Sequence, residues 1–63
     1  MRITELRARL ADYFSDPRTY AQDIVHSDLG GQTVDQALAM GIEAGDIWKA
    51  VVEHNPEMPE KYR

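Results

Sequence analysis

Sixty-three residues with no cysteine among them leave this chain one way to hold a fold, apolar packing within a single domain near the lower size at which a chain folds alone. Disulfides and cysteine-ligated zinc, the usual reinforcements at this size, are excluded, and nothing points to an oxidising compartment. Hydrophobic residues make up 43% and charged residues 29%, a globular rather than a disordered composition. Eleven acids against seven bases give a net charge of -4, the wrong sign for neutralising phosphates or coating an anionic membrane. No apolar run approaches the roughly 20 residues of a membrane span, and the opening Met1-Arg2-Ile3-Thr4-Glu5 lacks the apolar core of a signal peptide. A cytoplasmic protein is the expectation.

Apolar periodicity predicts helices throughout. Ile3, Leu6, Leu10, Tyr13 and Phe14 fall at three- and four-residue spacings and predict an amphipathic helix over 4–14 with Thr4 as its cap. Asp16-Pro17 is an N-cap followed by the one helical position that tolerates proline. It opens a second predicted helix over 17–29, with Tyr20, Ala21, Ile24, Val25 and Leu29 as its stripe and Gly30-Gly31 as its stop. Thr33 and Gln36 form a capping box for a short third helix that carries Val34, Ala37 and Leu38 inward and ends at Gly41, with Ile42 folded back onto its last turn. A fourth helix starts near Glu43 or Ala44 and ends at Asn55, before Pro56. With prolines at 56 and 59, residues 56–63 read as an extended, partly mobile tail that Met58 pins. The expectation is an all-α, compact bundle of three to four short helices over 1–55.

On a helical wheel the fourth helix gathers Ala44, Ile47, Trp48, Val51 and Val52 into an apolar arc of roughly 200°, where one contact face needs little over 100°. Either the helix is packed from two directions, with Trp48 its largest core residue, or the Trp48 and Val52 edge is left for a partner, with Lys49 as polar neighbour. Residues 33–52 also carry a helix-turn-helix outline, in Ala37, Gly41, Ile42 and Ile47. The would-be recognition helix exposes Glu43, Asp46 and Glu53 against a single Lys49, and carboxylates are repelled by duplex phosphates. Arg2, Arg7 and Arg9 are interspersed with acids and read as a solvated face.

Chemistry is sparsely signalled. Asp23 and His26 stand three apart and supply half of a carboxylate-imidazole site without a second half. His54, alone at the end of the fourth helix, suits the negative end of the helix dipole. The chain has no HExxH spacing, no phosphate-cradling glycine loop and no activated nucleophile, so neither an enzyme nor a cofactor is expected.

The opening Met1-Arg2-Ile3-Thr4-Glu5-Leu6, then Leu29-Gly30-Gly31-Gln32-Thr33-Val34 with Ala37-Leu38 and Gly41-Ile42, then Asp46-Ile47-Trp48-Lys49-Ala50, resemble in order and spacing an uncharacterised family of short actinobacterial proteins. The resemblance covers nearly the whole chain and implies no activity. It implies only a gene neighbourhood shared with the recombinase of homologous repair and its regulator. Two departures stand out: the family pattern has histidine where this chain has Ile24 and cysteine where it has Val52, so neither a shared histidine site nor a shared thiol can be the activity of this member.

The sequence therefore points to a non-catalytic protein-interaction or regulatory module with Trp48, Val52 and Lys49 as its contact surface. The rivals are a nucleic-acid-binding helix-turn-helix regulator, disfavoured by charge, and a homodimer completing its core across a two-fold axis.

Overall fold

The computed structural model of the chain describes all 63 residues. Helix α1 (Ile3–Tyr13) and helix α2 (Pro17–Asp23) precede strand β1 (Val25–His26), a 3₁₀ turn at Ser27–Leu29 and strand β2 (Gln32–Thr33). Helix α3 (Val34–Ala39), helix α4 (Ala44–His54) and a last 3₁₀ turn at Glu60–Tyr62 complete the order.

The all-α expectation is overturned. Strands β1 and β2 pair antiparallel, Val25 opposite Thr33 and His26 opposite Gln32, so the architecture is mixed: four helices with a small two-stranded sheet. The error lies in the second helix, which stops at Asp23 instead of reaching Leu29 because Ile24 is already extended (φ -90, ψ 119). Ile24, Val25, His26, Ser27 and Asp28 are all middling or poor helix formers, and Ile24 and Val25 are β-branched residues that favour a pleated backbone. Burial then alternates, with Val25 exposed and His26 buried. Gly30 and Gly31 do take left-handed conformations, at φ 71 and φ 79, but they close the turn between two strands rather than end a long helix. The Gly31 amide donates to the His26 carbonyl at 2.9 Å.

Other boundaries follow local chemistry. Asp16 Oδ1 accepts the Thr19 amide at 3.2 Å with Pro17 in the first helical position. Thr33 Oγ1 accepts the Gln36 amide at 3.1 Å while Gln36 Oε1 accepts the Thr33 amide at 3.0 Å, a complete capping box. At the other end of α3, the Ile42 amide donates to the Ala37 carbonyl at 3.1 Å and the Gly41 amide to the Leu38 carbonyl at 3.0 Å, the Schellman pair. Thr4, expected to cap α1, lies inside its first turn; Arg2 is the N-cap, and its amide donates to Glu5 Oε1 at 3.3 Å.

The core is a single cluster of 13 residues. Helix α4 is central, burying Ala44, Ile47, Trp48, Ala50 and Val51 against α1, α3, β1 and the Ser27–Leu29 turn. Leu6 and Leu10 of α1 are closed off from solvent, each burial stabilising by about 1.5–3 kcal/mol. Ile3 and Val25, both placed inward by periodicity, are 56% and 53% exposed: Ile3 sits at the open end of α1, and Val25 faces outward once its segment is a strand. In the tail Met58 is buried, and Tyr62 packs edge-on against Tyr13 with ring centroids 5.1 Å apart.

Candidate functional site

The three residues singled out on α4 have different fates. Trp48 is a core residue, only 3% exposed, with the Arg9 guanidinium 5.7 Å from its ring centroid in cation–π range. Its indole Nε1 is buried without a hydrogen-bond partner. Val52 is half-buried and Lys49 exposed. The structure nonetheless brings the three to one place, since the edge of Trp48, Val52 and Lys49 line a shallow groove of about 380 Å³ whose rim carries Asp28, Glu53 and Arg63. The wide apolar arc of α4 is explained mainly by packing from more than one direction, with only the Val52 edge left over.

A second constellation escaped sequence reasoning. His26 is 1% exposed, and its Nε2 lies 2.7 Å from the Tyr20 hydroxyl. Asn55 Nδ2 donates to that hydroxyl oxygen at 3.0 Å and to the Val51 carbonyl at 2.8 Å. With Asn55 donating to it, the hydroxyl is best satisfied by giving its own proton to His26 Nε2, which leaves the hydrogen on Nδ1; that nitrogen makes no hydrogen bond of good geometry, and the Gln32 backbone is the polar group acting on the ring from β2. The His54 ring stands edge-on to His26, centroids 4.9 Å apart, and the two line a polar depression of about 320 Å³ together with Ser27, Asp28 and Glu53. Spacing alone could not reveal this cluster, because its members come from α2, β1 and both sides of the α4 terminus.

Burial drives the electrostatics. His26 is held below the usual imidazole value chiefly by burial, and His54 pushes the same way, against the Gln32 backbone and Asp28. The Tyr20 hydroxyl is raised above the usual phenol value, again chiefly by burial; the Asn55 hydrogen bond opposes this and Glu57 adds to it. Asp23, paired with His26 on the sequence reading, is exposed and makes no side-chain hydrogen bond or ion pair with it. No group of three or more histidine, aspartate and glutamate side chains is arranged to hold a metal ion.

The helix-turn-helix outline corresponds to α3, the Gly41 turn and α4. Five α4 residues face the core, leaving Asp46, Lys49 and Glu53 exposed. The nearby arginines do not form one stripe: Arg7 pairs with Asp35 at 2.7 Å, and Arg9 is folded onto Trp48. No helix is long and apolar enough to cross a membrane.

No curated protein and no solved structure matches the chain. A family model described as "Protein of unknown function (DUF3046)" matches residues 1–61, and the chain belongs to that family.

Proposed function

We propose that this chain is a small, non-catalytic module that docks a protein segment in the groove bordered by Trp48, Lys49 and Val52. One observation carries the reading: this groove has largely apolar walls, whereas the depression at His26 is almost wholly polar. Apolar walls with a charged rim are the make-up of a side-chain docking site. Trp48 supplies a rigid floor rather than an exposed anchor. Asp28, Asp46 and Glu53 outnumber Lys49 and Arg63 around it, so the segment that fits carries an apolar side chain flanked by basic residues. The buried imidazole of His26 is engaged with Tyr20 in holding the fold, and we assign the module no catalytic step. The gene neighbourhood implied by the family resemblance makes the recombinase of homologous repair and its regulator the first partners to test.

A photocrosslinking side chain at position 49, with one at position 22 on α2 as reference, tests this in cells. The expected result is a discrete protein adduct at 49 alone, abolished by V52D in a variant that still melts cooperatively. Equal adducts at both positions, or none at 49, overturn it. An adduct to nucleic acid whose yield collapses with added salt supports the helix-turn-helix rival instead.

A further inference from the structure

We propose that His26 is a proton-operated latch, which when neutral ties the turn between β1 and β2 to α2 and to the end of α4, and when protonated lets that turn go. Geometry carries this. The two-residue strands of the sheet are too short to hold themselves, so what fixes this segment is its attachment to the helices. His26 is the only side chain of β1 that faces inward. Through Nε2 it reaches the Tyr20 hydroxyl of α2, and through that hydroxyl Asn55 at the end of α4. Leu29 also anchors the turn, 8% exposed in the core, so what His26 releases is the strand ladder and the two left-handed glycines beyond Leu29, which have open space around them.

A proton on His26 disrupts this arrangement in two ways. The cation has N–H at both nitrogens, so Nε2 can no longer accept the Tyr20 proton; the contact survives only with Nε2 donating to a phenolic oxygen that already accepts from Asn55, which displaces the Tyr20 proton from its bond. The charge is also generated in a buried place, beside the second imidazole of His54, where desolvation disfavours it. The groups facing His26 are Tyr20 from α2, Asp28 from its own turn, and Glu53 and His54 from α4, with Glu57 beyond α4 acting on Tyr20. β2 brings no charged side chain, but the Gln32 backbone favours the cation against the larger effect of burial. Asp28 and Glu53 attract the cation, but both are exposed and their attraction is weakened by solvent. Opening the turn lets the imidazolium reach water, so protonation and release are linked. Because the latch concerns the hold on this turn, it stands whether or not the α4 groove takes a peptide.

Amide hydrogen exchange on the wild-type protein, corrected for intrinsic rates, tests it between about pH 7.5 and about pH 5, the range that brackets an ordinary imidazole. The expected result is a loss of protection of roughly tenfold or more at the Gly31 amide, which bonds the His26 carbonyl, and at the ladder amides, while Ala50 and Val51 of α4 stay protected. His26→Gln, which keeps a polar side chain but takes no proton, should abolish the pH dependence, and His54→Gln should keep it. Should His26→Gln fail to fold, imidazole nitrogen shifts of the wild type decide: His26 charging in step with the loss of ladder protection supports the latch. Ladder protection that does not change with pH, a change that survives His26→Gln, or His26 charging with the ladder intact overturns it.

Discussion

Asn55 and Tyr20 lie 35 residues apart in sequence and 3.0 Å apart in space, the Asn55 amide donating to the phenolic oxygen. The same amide group caps the end of α4 through the Val51 carbonyl at 2.8 Å, and the Asn55 carbonyl accepts the Met58 amide at 3.0 Å. One residue thus ends the central helix, anchors α2 to it and starts the tail. Tyr20 continues the link sideways, stacked on Phe14 at 3.9 Å and edge-on to His26 at 5.5 Å. Rings run from Tyr62 through Tyr13, Phe14, Tyr20 and His26 to His54, joining the tail, α1, α2, β1 and α4 and, of the helices, leaving out only α3.

Tyr20→Phe removes the middle of this relay while keeping the ring. His26 Nε2 and one Asn55 proton lose their partner in a region only 8% exposed at Tyr20. The expected loss is about 1–3 kcal/mol, the usual consequence of leaving buried polar groups unpaired, read from urea unfolding at neutral pH. A loss below about 0.5 kcal/mol, the scale of an ordinary surface change, would show that water satisfies these groups equally well.

Trp48→Ala and Lys49→Ala, neighbours in sequence, should behave oppositely. The first empties a core site and is expected to remove about 3–5 kcal/mol, comparable with the whole stability of so small a domain; its thermal transition should broaden or vanish. The second removes an exposed side chain and should stay within about 0.5 kcal/mol. Thermal unfolding followed by circular dichroism separates them. Lost binding in Trp48→Ala would therefore report unfolding, which is why Lys49 and Val52 are the positions for testing the groove.

Much of the helical framework is legible because the signals that set it are local. Asp16-Pro17, the Thr33 and Gln36 pair, and Gly41-Ile42 act over three to five residues, and each does in the structure what its chemistry dictates. The stripe from Tyr20 to Leu29 misleads because Ile24, Val25 and Leu29 satisfy helical spacing although the chain leaves the helix at Ile24, and a strand of two residues is too short to show a period of its own. Tertiary context decided, through His26. The His26 cluster is illegible for a related reason: a buried histidine looks like a surface one until its hydroxyl partner, six residues earlier on α2, is known. The α4 arc was legible as a width but not as a cause, since one helix packed on several sides and one helix with a free edge give the same wheel.

Gly41 holds φ at 84 with nothing within 4 Å of an added Cβ, so Gly41→Ala isolates backbone strain from crowding. Placing an L-residue in the left-handed region costs roughly 1–2 kcal/mol, and the urea midpoint should fall accordingly with an unchanged slope. Gly41→Asn, which tolerates this conformation better, should recover part of the loss. Equal losses in the two variants would mean that the turn relaxes out of the left-handed region when substituted.

The cap at Asp16 carries a prediction in a different pH range from the His26 latch. Its carboxyl is held below the usual carboxylate range, first by the Thr19 hydroxyl, which donates to Oδ2 at 2.7 Å, then by the Thr19 amide. Burial opposes this weakly, and Arg18 reinforces it. An acid lowered in the folded state contributes stability that is present above its unfolded value, near 3.8, and is lost as pH falls through the folded value. Asp16→Asn keeps a good N-cap but takes no proton. It also gives up the charge at the positive end of α2, so at neutral pH the wild type should melt somewhat higher. The gap should close as pH falls below about pH 4, the ordinary carboxylate range, where the wild-type carboxyl takes up its proton. The His26 effect begins higher, near about pH 6.5, so scans of Tm against pH for both proteins should keep a parallel slope between pH 6.5 and 5 and converge only below about pH 4. A gap that stays constant down to about pH 2 would mean that the Thr19 contacts hold the protonated acid as firmly as the carboxylate.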